Sequence, residues 1–473
     1  NQNLPFMIKS TIFSGLKRPI LTIVFCSGLV TSCNNNQYRE KAQLLDSLFT
    51  TMHEHGQFNG NVLIAQNGKI IYKNCLGLAD REKQIPLNEN TLFNTGSVSK
   101  IFTAIAIQQM EEKNLLKLED PVEKYLPGFP YPEITIHHLL IHAGGLPEDS
   151  RLLQNTQWDR SKIATNKDVM DALYAQKPSL RFTPGQNSAY NNLGYMILAQ
   201  VVEQVSGQNF KDFLHQHIFR PAKMERTAIY NLEEIKLADN VAKGYLFYPF
   251  TGKFEEAITI PEFSGNFVAS GYCGDGNVYS TITDLYRFYR ALDAGKLINS
   301  QSFEKATQKH FLAHNLYGEN EYGVSFGYGW SIADAPVTII QRGGELPGYL
   351  SNSIWNLDND RLIIYLMNDY LSYLSYQSYI YPAYARIMHQ NVLEIPKLVA
   401  SVELTKMAVT CTQEEMALKI QEIKEQPDLY DTDIHGLQFL VHKLNQLDLT
   451  EKTALIMDAF QEPVPTSPID KAP

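Results

Sequence analysis

Apolar positions along the chain follow two periods. Residues 61–66 and 69–73 are two short apolar-rich runs separated by Asn67-Gly68. That dipeptide favours the positive backbone angles of a two-residue type I′ turn, so the pattern predicts a β-hairpin. Far along the chain, 337–341, 349–357 and 361–367 read as three more strands, the last two joined by Asp358-Asn359-Asp360. Between these groups the period lengthens to that of helices at 98–113, 192–205 and 208–218, with Gly207 separating the last two. Residues 38–54 also predict a helix, with Leu44, Leu45, Leu48 and Phe49 on one face. Strands from both ends with helices between them predict an α+β fold: one antiparallel sheet flanked by helices, with an inserted helical subdomain. A site in the cleft between the two parts is the expected arrangement.

The pattern changes after Asp369. Tyrosines 370, 373, 376, 379, 381 and 384 crowd one stretch, with Tyr365 just ahead, and Pro396 marks a linker. They are expected to pack against the sheet, an aromatic substrate wall being the other reading. A small, polar C-terminal helical segment follows over 412–460, including a helix pair at 432–443 and 450–460. Two readings stay open for it: a single helical-repeat unit, or a cap packed on the main domain. The expected division is therefore 1–32 address, 33–40 tether, 41–390 main domain, and 391–473 linker and helical segment.

Composition narrows the class without naming it. With 44% hydrophobic and 19% charged residues the 473-residue chain is globular, and long enough for two or three domains. A net charge of −10 argues against a broad nucleic-acid-binding face, so no nucleic-acid partner is expected. Five cysteines without CxxC or Cys/His spacing exclude a disulfide scaffold and a zinc finger. Cys75, Cys273 and Cys411 are expected as small buried hydrophobes.

The first residues read as an address. Lys9, Lys17 and Arg18 precede an apolar run over 19–30 and then Thr31-Ser32-Cys33, the order of a secretory signal. The run is too short to span a bilayer comfortably. A cysteine directly after Val30-Thr31-Ser32 resembles a bacterial lipobox, which makes Cys33 the expected lipidation site; a plain signal peptide is the alternative. The expected location is thus the bacterial cell envelope, on the periplasmic side, with membrane attachment through the lipid. Removing 1–32 would leave the chain near −13, because that stretch holds three basic residues and no acidic one.

Chemistry enters at Ser97-Val98-Ser99-Lys100. S-x-x-K alone means little, since Ser14/Lys17 and Ser302/Lys305 also match. Ser97 differs by position. It follows Thr91-Leu92-Phe93 and Gly96 and opens the amphipathic run Val98, Ile101, Phe102, Ile105, Met110. A serine at a helix start lies near unpaired backbone N–H groups, and a lysine three residues on shares its face. Apolar packing of the helix would desolvate that amine and suit it to act as a base.

A second motif sits about 90 residues on. Tyr190-Asn191-Asn192 closes a turn-rich stretch from Thr183 and leads into a helix. S-x-x-K followed by Y-x-N and then by a glycine-bearing strand resembles the serine β-lactamase and penicillin-binding-protein family. The branch it resembles contains class C β-lactamases, D-alanyl-D-alanine carboxypeptidases and esterases. The resemblance runs over 41–370 and includes Ile136 to Pro147, Pro184 to Tyr195, Pro221 to Met224 with Thr227, and Gly276 to Leu285. It implies a Lys/His-x-Gly strand lining the cleft. The matching stretch is Gln341-Arg342-Gly343-Gly344-Glu345, so arginine replaces the usual lysine or histidine.

The resemblance implies roles residue by residue. Ser97 is the nucleophile, and Lys100 and Tyr190 share its proton. Asn192 holds Lys100 and a substrate amide, and Gly344 lets a substrate backbone approach. The backbone N–H groups of Ser97 and Glu345 form the oxyanion hole. Arg342 keeps a permanent cation that suits a substrate carboxylate or an electrostatic role, but it cannot easily relay a proton. No metal or organic cofactor is implied. The three histidines 137, 138 and 142 read as structural, because their spacing and lack of a nearby carboxylate do not suit a metal.

The expectation is a serine hydrolase acting through an acyl-enzyme on a small-molecule or peptide substrate of the envelope. A carboxypeptidase or esterase is placed ahead of a true β-lactamase, since no separate deacylating carboxylate is identifiable. The rival is a non-hydrolytic penicillin- or peptidoglycan-binding sensor in which Arg342 has removed turnover. A protein partner for the C-terminal helices is left unspecified.

Overall fold

The computed structural model describes residues 27–147, 152–153, 159, 162–248, 251–261, 263, 271–312, 325–333, 337–370 and 377–460. Its centre is an antiparallel eight-stranded sheet. We number its strands β1 (Gly60–Gln66), β2 (Lys69–Leu76), β3 (Phe311–Leu312), β4 (Ser325–Phe326), β5 (Ser331–Ala333), β6 (Ile339–Leu346), β7 (Tyr349–Asn356) and β8 (Arg361–Met367). Their order is β3-β4-β5-β6-β7-β8-β1-β2. The N-terminal hairpin therefore docks on the last strand of the catalytic region, with Gly60 opposite Met367 and Gln66 opposite Arg361. Asn67 and Gly68 both have positive φ, as the hairpin turn requires.

Alternation along the central strands builds two cores. Leu63 and Ala65 of β1, with Leu362, Ile364 and Leu366 of β8, face the helical part of the molecule. Val62 and Ile64, with Ile363, Tyr365 and Met367, face the other way. Two helices cover that second face: α1 (Ser27–Glu54) through Leu45, Leu48, Phe49 and Met52, and a C-terminal helix (Gln377–Gln390) through Ile380, Tyr384 and Ile387. Each such side chain contributes roughly 1.5–3 kcal/mol by burial. Tyr384 thus packs on the sheet side as expected, while Tyr373 and Tyr376 lie outside the described residues.

On the first face lie α2 (Ser99–Glu112), α3 (Ile136–Leu140), α4 (Asn166–Gln176), α5 (Asn192–Ser206) and α6 (Ile282–Asp293). Every residue of α2 from Ser99 to Met110 is buried, so this helix is the axis of the domain. The helix expected at 208–218 is an α-turn, Phe210–Leu214, that widens into a π-turn, His215–Phe219.

Two stretches differ from expectation. Helix α1 starts at Ser27 and runs unbroken through the positions read as a tether; after Gly28 no glycine or proline interrupts it before Gly56. Residues 1–26, which carry most of the address, lie outside the described residues. The second stretch is the supposed linker. It contains the helix Ala400–Ala408, which with Gln413–Glu425, Ile434–Gln446 and Thr450–Phe460 encloses its own apolar cluster of Leu404, Met416, Ile420, Leu437, Leu440 and Ile456. Among the described residues no helix is long and apolar enough to cross a membrane.

Candidate active site

The nucleophile's turn is held from three sides. Phe93–Asn94 pairs with Val278–Ser280, and Thr95 Oγ1 donates to the Val278 carbonyl at 2.8 Å. Asn94 Oδ1 accepts the Gly96 N–H at 2.9 Å, and Ser99 Oγ donates to the Gly96 carbonyl at 2.7 Å. The short 3-10 turn Gly96–Val98 then runs into α2. Gly96 has φ +49°, and a Cβ there would stand 2.7 Å from Glu345 N. Across the gap, a Cβ on Gly344 would reach 2.0 Å from the Thr95 carbonyl oxygen and 2.7 Å from Ser97 N. Only glycine at both positions allows the turn and the strand to touch. The contact forms because β5 accompanies β6 no further than Gln341, leaving the next residues of β6 to meet the turn.

Ser97 is only partly buried, whereas Lys100 is wholly buried on α2. Lys100 Nζ donates to Ser97 Oγ at 3.2 Å, to Asn192 Oδ1 at 2.7 Å and to the Asp275 carbonyl at 2.8 Å. An ammonium has three protons, and here each has an oxygen to meet. Lys100 Nζ is thus held on three sides and fixed beside Ser97 Oγ.

Tyr190 and Asn192 arrive together at the start of α5. Asn191 caps that helix by accepting the Gly194 N–H at 2.9 Å, which turns its two neighbours toward Ser97 and Lys100. The Tyr190 phenolic oxygen and Ser97 Oγ share a hydrogen bond of 2.6 Å. Burial would push this phenol up, but the charges of Arg342 and Lys100 outweigh it and hold the group below its ordinary value. Lys100 Nζ and the Arg342 guanidinium each lie 5.0 Å from the Tyr190 ring centroid.

Arg342 is the departure with most consequence. It is buried on β6, and its Nε donates to the Ser97 carbonyl at 3.0 Å while Nη2 donates to the Tyr190 oxygen at 2.8 Å. The side chain expected to meet a substrate carboxylate is thus directed inward, onto the nucleophile's backbone and the phenol. Its planar fork explains the reach, since one guanidinium can serve two acceptors along an edge. Glu345 follows with an exposed side chain, its backbone N beside the Gly96 turn.

Sequence reasoning missed two contributors. The Asp275 carbonyl touches Lys100 through a main-chain atom, which no residue pattern advertises. His142, read as structural, lies against Tyr190 with ring centroids 4.7 Å apart. Of the other histidines, His137 Nδ1 pairs with the Tyr328 hydroxyl at 3.0 Å, and His138 Nδ1 accepts the Thr135 N–H in a capping box. A separate cavity of about 460 Å³ lies around Lys243, Glu256, Tyr279 and Tyr349; none of Ser97, Lys100, Tyr190 or Arg342 lines it.

A serine between a lysine and a tyrosine, on the first turn of a buried helix beside a glycine-bearing strand, can perform acyl transfer without a metal in its machinery. That constellation defines a serine acyl-transfer protein of the β-lactamase/transpeptidase fold. The chain matches the family described as Beta-lactamase over residues 45–375, and it belongs to that family of serine hydrolases, among penicillin-binding-protein homologues. It is 36% identical over 333 residues to penicillin-binding protein 4* of Bacillus subtilis (strain 168), covering 70% of this chain and 72% of the relative. It is 30% identical over 274 residues to a teichoic acid D-alanine hydrolase of Staphylococcus aureus, covering 58% and 62%. Among solved structures, a penicillin-binding protein from Bacillus halodurans superposes with a TM-score of 0.58 at 26% identity, covering 68% of this chain and 94% of the other.

Proposed function

We propose that the protein hydrolyses an ester or amide of a D-alanine-type acyl group through an acyl-enzyme on Ser97. The observation that carries this reading is the 2.6 Å contact between Ser97 Oγ and the Tyr190 oxygen, with two cations beside the phenol. In the first step the ionised Tyr190 oxygen takes the Ser97 proton as Oγ bonds to the substrate carbonyl carbon. The backbone N–H groups of Ser97 and Glu345 receive the developing oxyanion. Tyr190 then gives its proton to the departing oxygen or nitrogen as that bond breaks. Water repeats the sequence in reverse order and frees the acid. Lys100 Nζ steadies Oγ and Asn192 Oδ1 through its hydrogen bonds, and Asn192 offers its amide nitrogen to the substrate.

Arg342 favours esters and amides over a carboxypeptidase substrate. Its Nε and Nη2 bond to Ser97 and Tyr190, so it is poorly placed to anchor a terminal carboxylate. The name of the Staphylococcus aureus relative supports the same acyl group. The envelope address and the lipid on Cys33 belong to this proposal and rest on the order of basic, apolar and small residues before Cys33.

The test is acylation by a fluorescent penicillin and a fluorophosphonate, followed by turnover of a chromogenic D-alanyl ester. Labelling that vanishes in Ser97→Ala, with ester turnover by the wild type, is the expected result. Stable labelling without turnover would instead support the sensor. Absence of labelling by both reagents overturns the nucleophile.

A further inference from the structure

We infer that His142 is a positioning residue for Tyr190, gripping the chain on both sides of it and thereby setting the phenol against Ser97. The histidine follows α3 and is buried, at φ +58°. A residue with a side chain rarely adopts that backbone, and its recurrence at functional sites reflects a geometry that the surroundings impose. The turn aims two acceptors at one short stretch. The His142 carbonyl accepts the Ala189 N–H at 3.0 Å, and its Nδ1 accepts the Asn191 N–H at 3.1 Å. Tyr190 lies between those two donors, so its main chain is pinned from before and after by a single residue.

The ring adds a lateral wall. Its centroid is 4.7 Å from that of Tyr190, 5.1 Å from Tyr195 and 4.7 Å from Phe326. Tyr195 is itself fixed, donating to the Leu140 carbonyl at 2.7 Å and accepting the Gly329 N–H at 3.0 Å. Because Nδ1 accepts, the neutral ring carries its proton on Nε2. Burial first, and then the Arg342 and Lys100 cations, favour that neutral state, while the rings of Tyr190, Tyr195 and Phe326 are the other groups that face it. His142 therefore neither gives nor takes a proton in the reaction. It acts through Tyr190, where a displacement of about 1 Å from the productive geometry can cost roughly a hundredfold in rate.

The inference rests on the reading of Tyr190 as proton acceptor, and a double-mutant cycle separates the two. Acylation by the fluorescent penicillin is measured for the wild type, His142→Gly, Tyr190→Phe and the double variant. Glycine tolerates the positive φ, so it removes the ring without backbone strain. His142→Gly is expected to slow acylation about 10- to 100-fold, and to cost less than about threefold more once Tyr190 is phenylalanine. An equal cost in both backgrounds overturns the positioning role while leaving Tyr190 intact. A Tyr190→Phe protein as fast as the wild type overturns the reading of Tyr190, and this inference with it. His142→Asn keeps an acceptor near Nδ1 and tolerates the backbone, so it is expected to restore most of the rate. Should the glycine variant not fold, ¹⁵N imidazole spectra of the wild type decide. A single Nε2–H tautomer from pH 5 to 9 supports the inference, and a proton on Nδ1 overturns it.

Discussion

Lys243 and Lys100 both lie near tyrosines, in opposite electrical settings. Around Lys243 the neighbours are carboxylates: Asp80 at 3.4 Å, Glu82 at 3.1 Å and Glu256 at 3.0 Å. Around Lys100 they are neutral oxygens, and among the described residues neither Lys100 nor Arg342 makes an ion pair. The tyrosines respond accordingly. Tyr245, donating to Glu82 at 2.7 Å, is pushed upward by burial and then by that carboxylate. Tyr190 is drawn below its usual range despite burial, because two cations face it without a compensating anion. In the first cluster carboxylates surround the cation; in the second two cations flank a phenol and favour its ionisation.

Ser97→Ala is expected to abolish acylation, on the order of 10⁶-fold in kcat as for other nucleophile deletions, measured by penicillin labelling and ester turnover. Tyr190→Phe keeps the ring and loses the oxygen, and should slow acylation about 10²- to 10⁴-fold with little change in KM.

Arg342→Gln sharpens the comparison by removing one of the two cations. A base works when deprotonated, so kcat/KM rises as pH passes the phenol's pKa. Losing the guanidinium lets that value climb, and the ascending limb moves to higher pH. Each unit of movement costs about tenfold at neutral pH. Arg342→Lys should recover only part, because one ammonium on a flexible stem does not reproduce the fork between Ser97 and Tyr190.

The mildest effect belongs to the carboxylate-rich cluster around Lys243. Lys243→Met should leave acylation unchanged and lower stability by about 1–3 kcal/mol in urea unfolding, through the loss of charge-assisted bonds. A change in the acylation pH profile would show that the two clusters are coupled after all.

Much of this was legible in the residue order. The Asn67-Gly68 hairpin, the strand run 361–367 and the helices opening at Ser99 and Asn192 follow from period and punctuation. Ser97, Lys100, Tyr190 and Asn192 were candidates from motif and position, and the structure brings them together. What eluded the sequence depends on direction. Arg342 announces a cation, but whether it faces substrate or Tyr190 is decided by the tight approach of Gly344 to the Ser97 turn. His142 looks like any buried histidine until its positive φ and the Asn191 N–H are known. The helix Ala400–Ala408 hid behind the Pro396 punctuation that suggested a linker.

The central claim is that Lys100 and Arg342 make Tyr190 the base for Ser97. Its most direct test is a pH titration of [¹³Cζ]tyrosine-labelled protein, with Tyr190 assigned by its absence in Tyr190→Phe. The expected result is a Tyr190 resonance that ionises earlier than an ordinary tyrosine and moves to higher pH in Arg342→Gln. A Tyr190 that remains a phenol beyond pH 10, or is indifferent to Arg342, would contradict it.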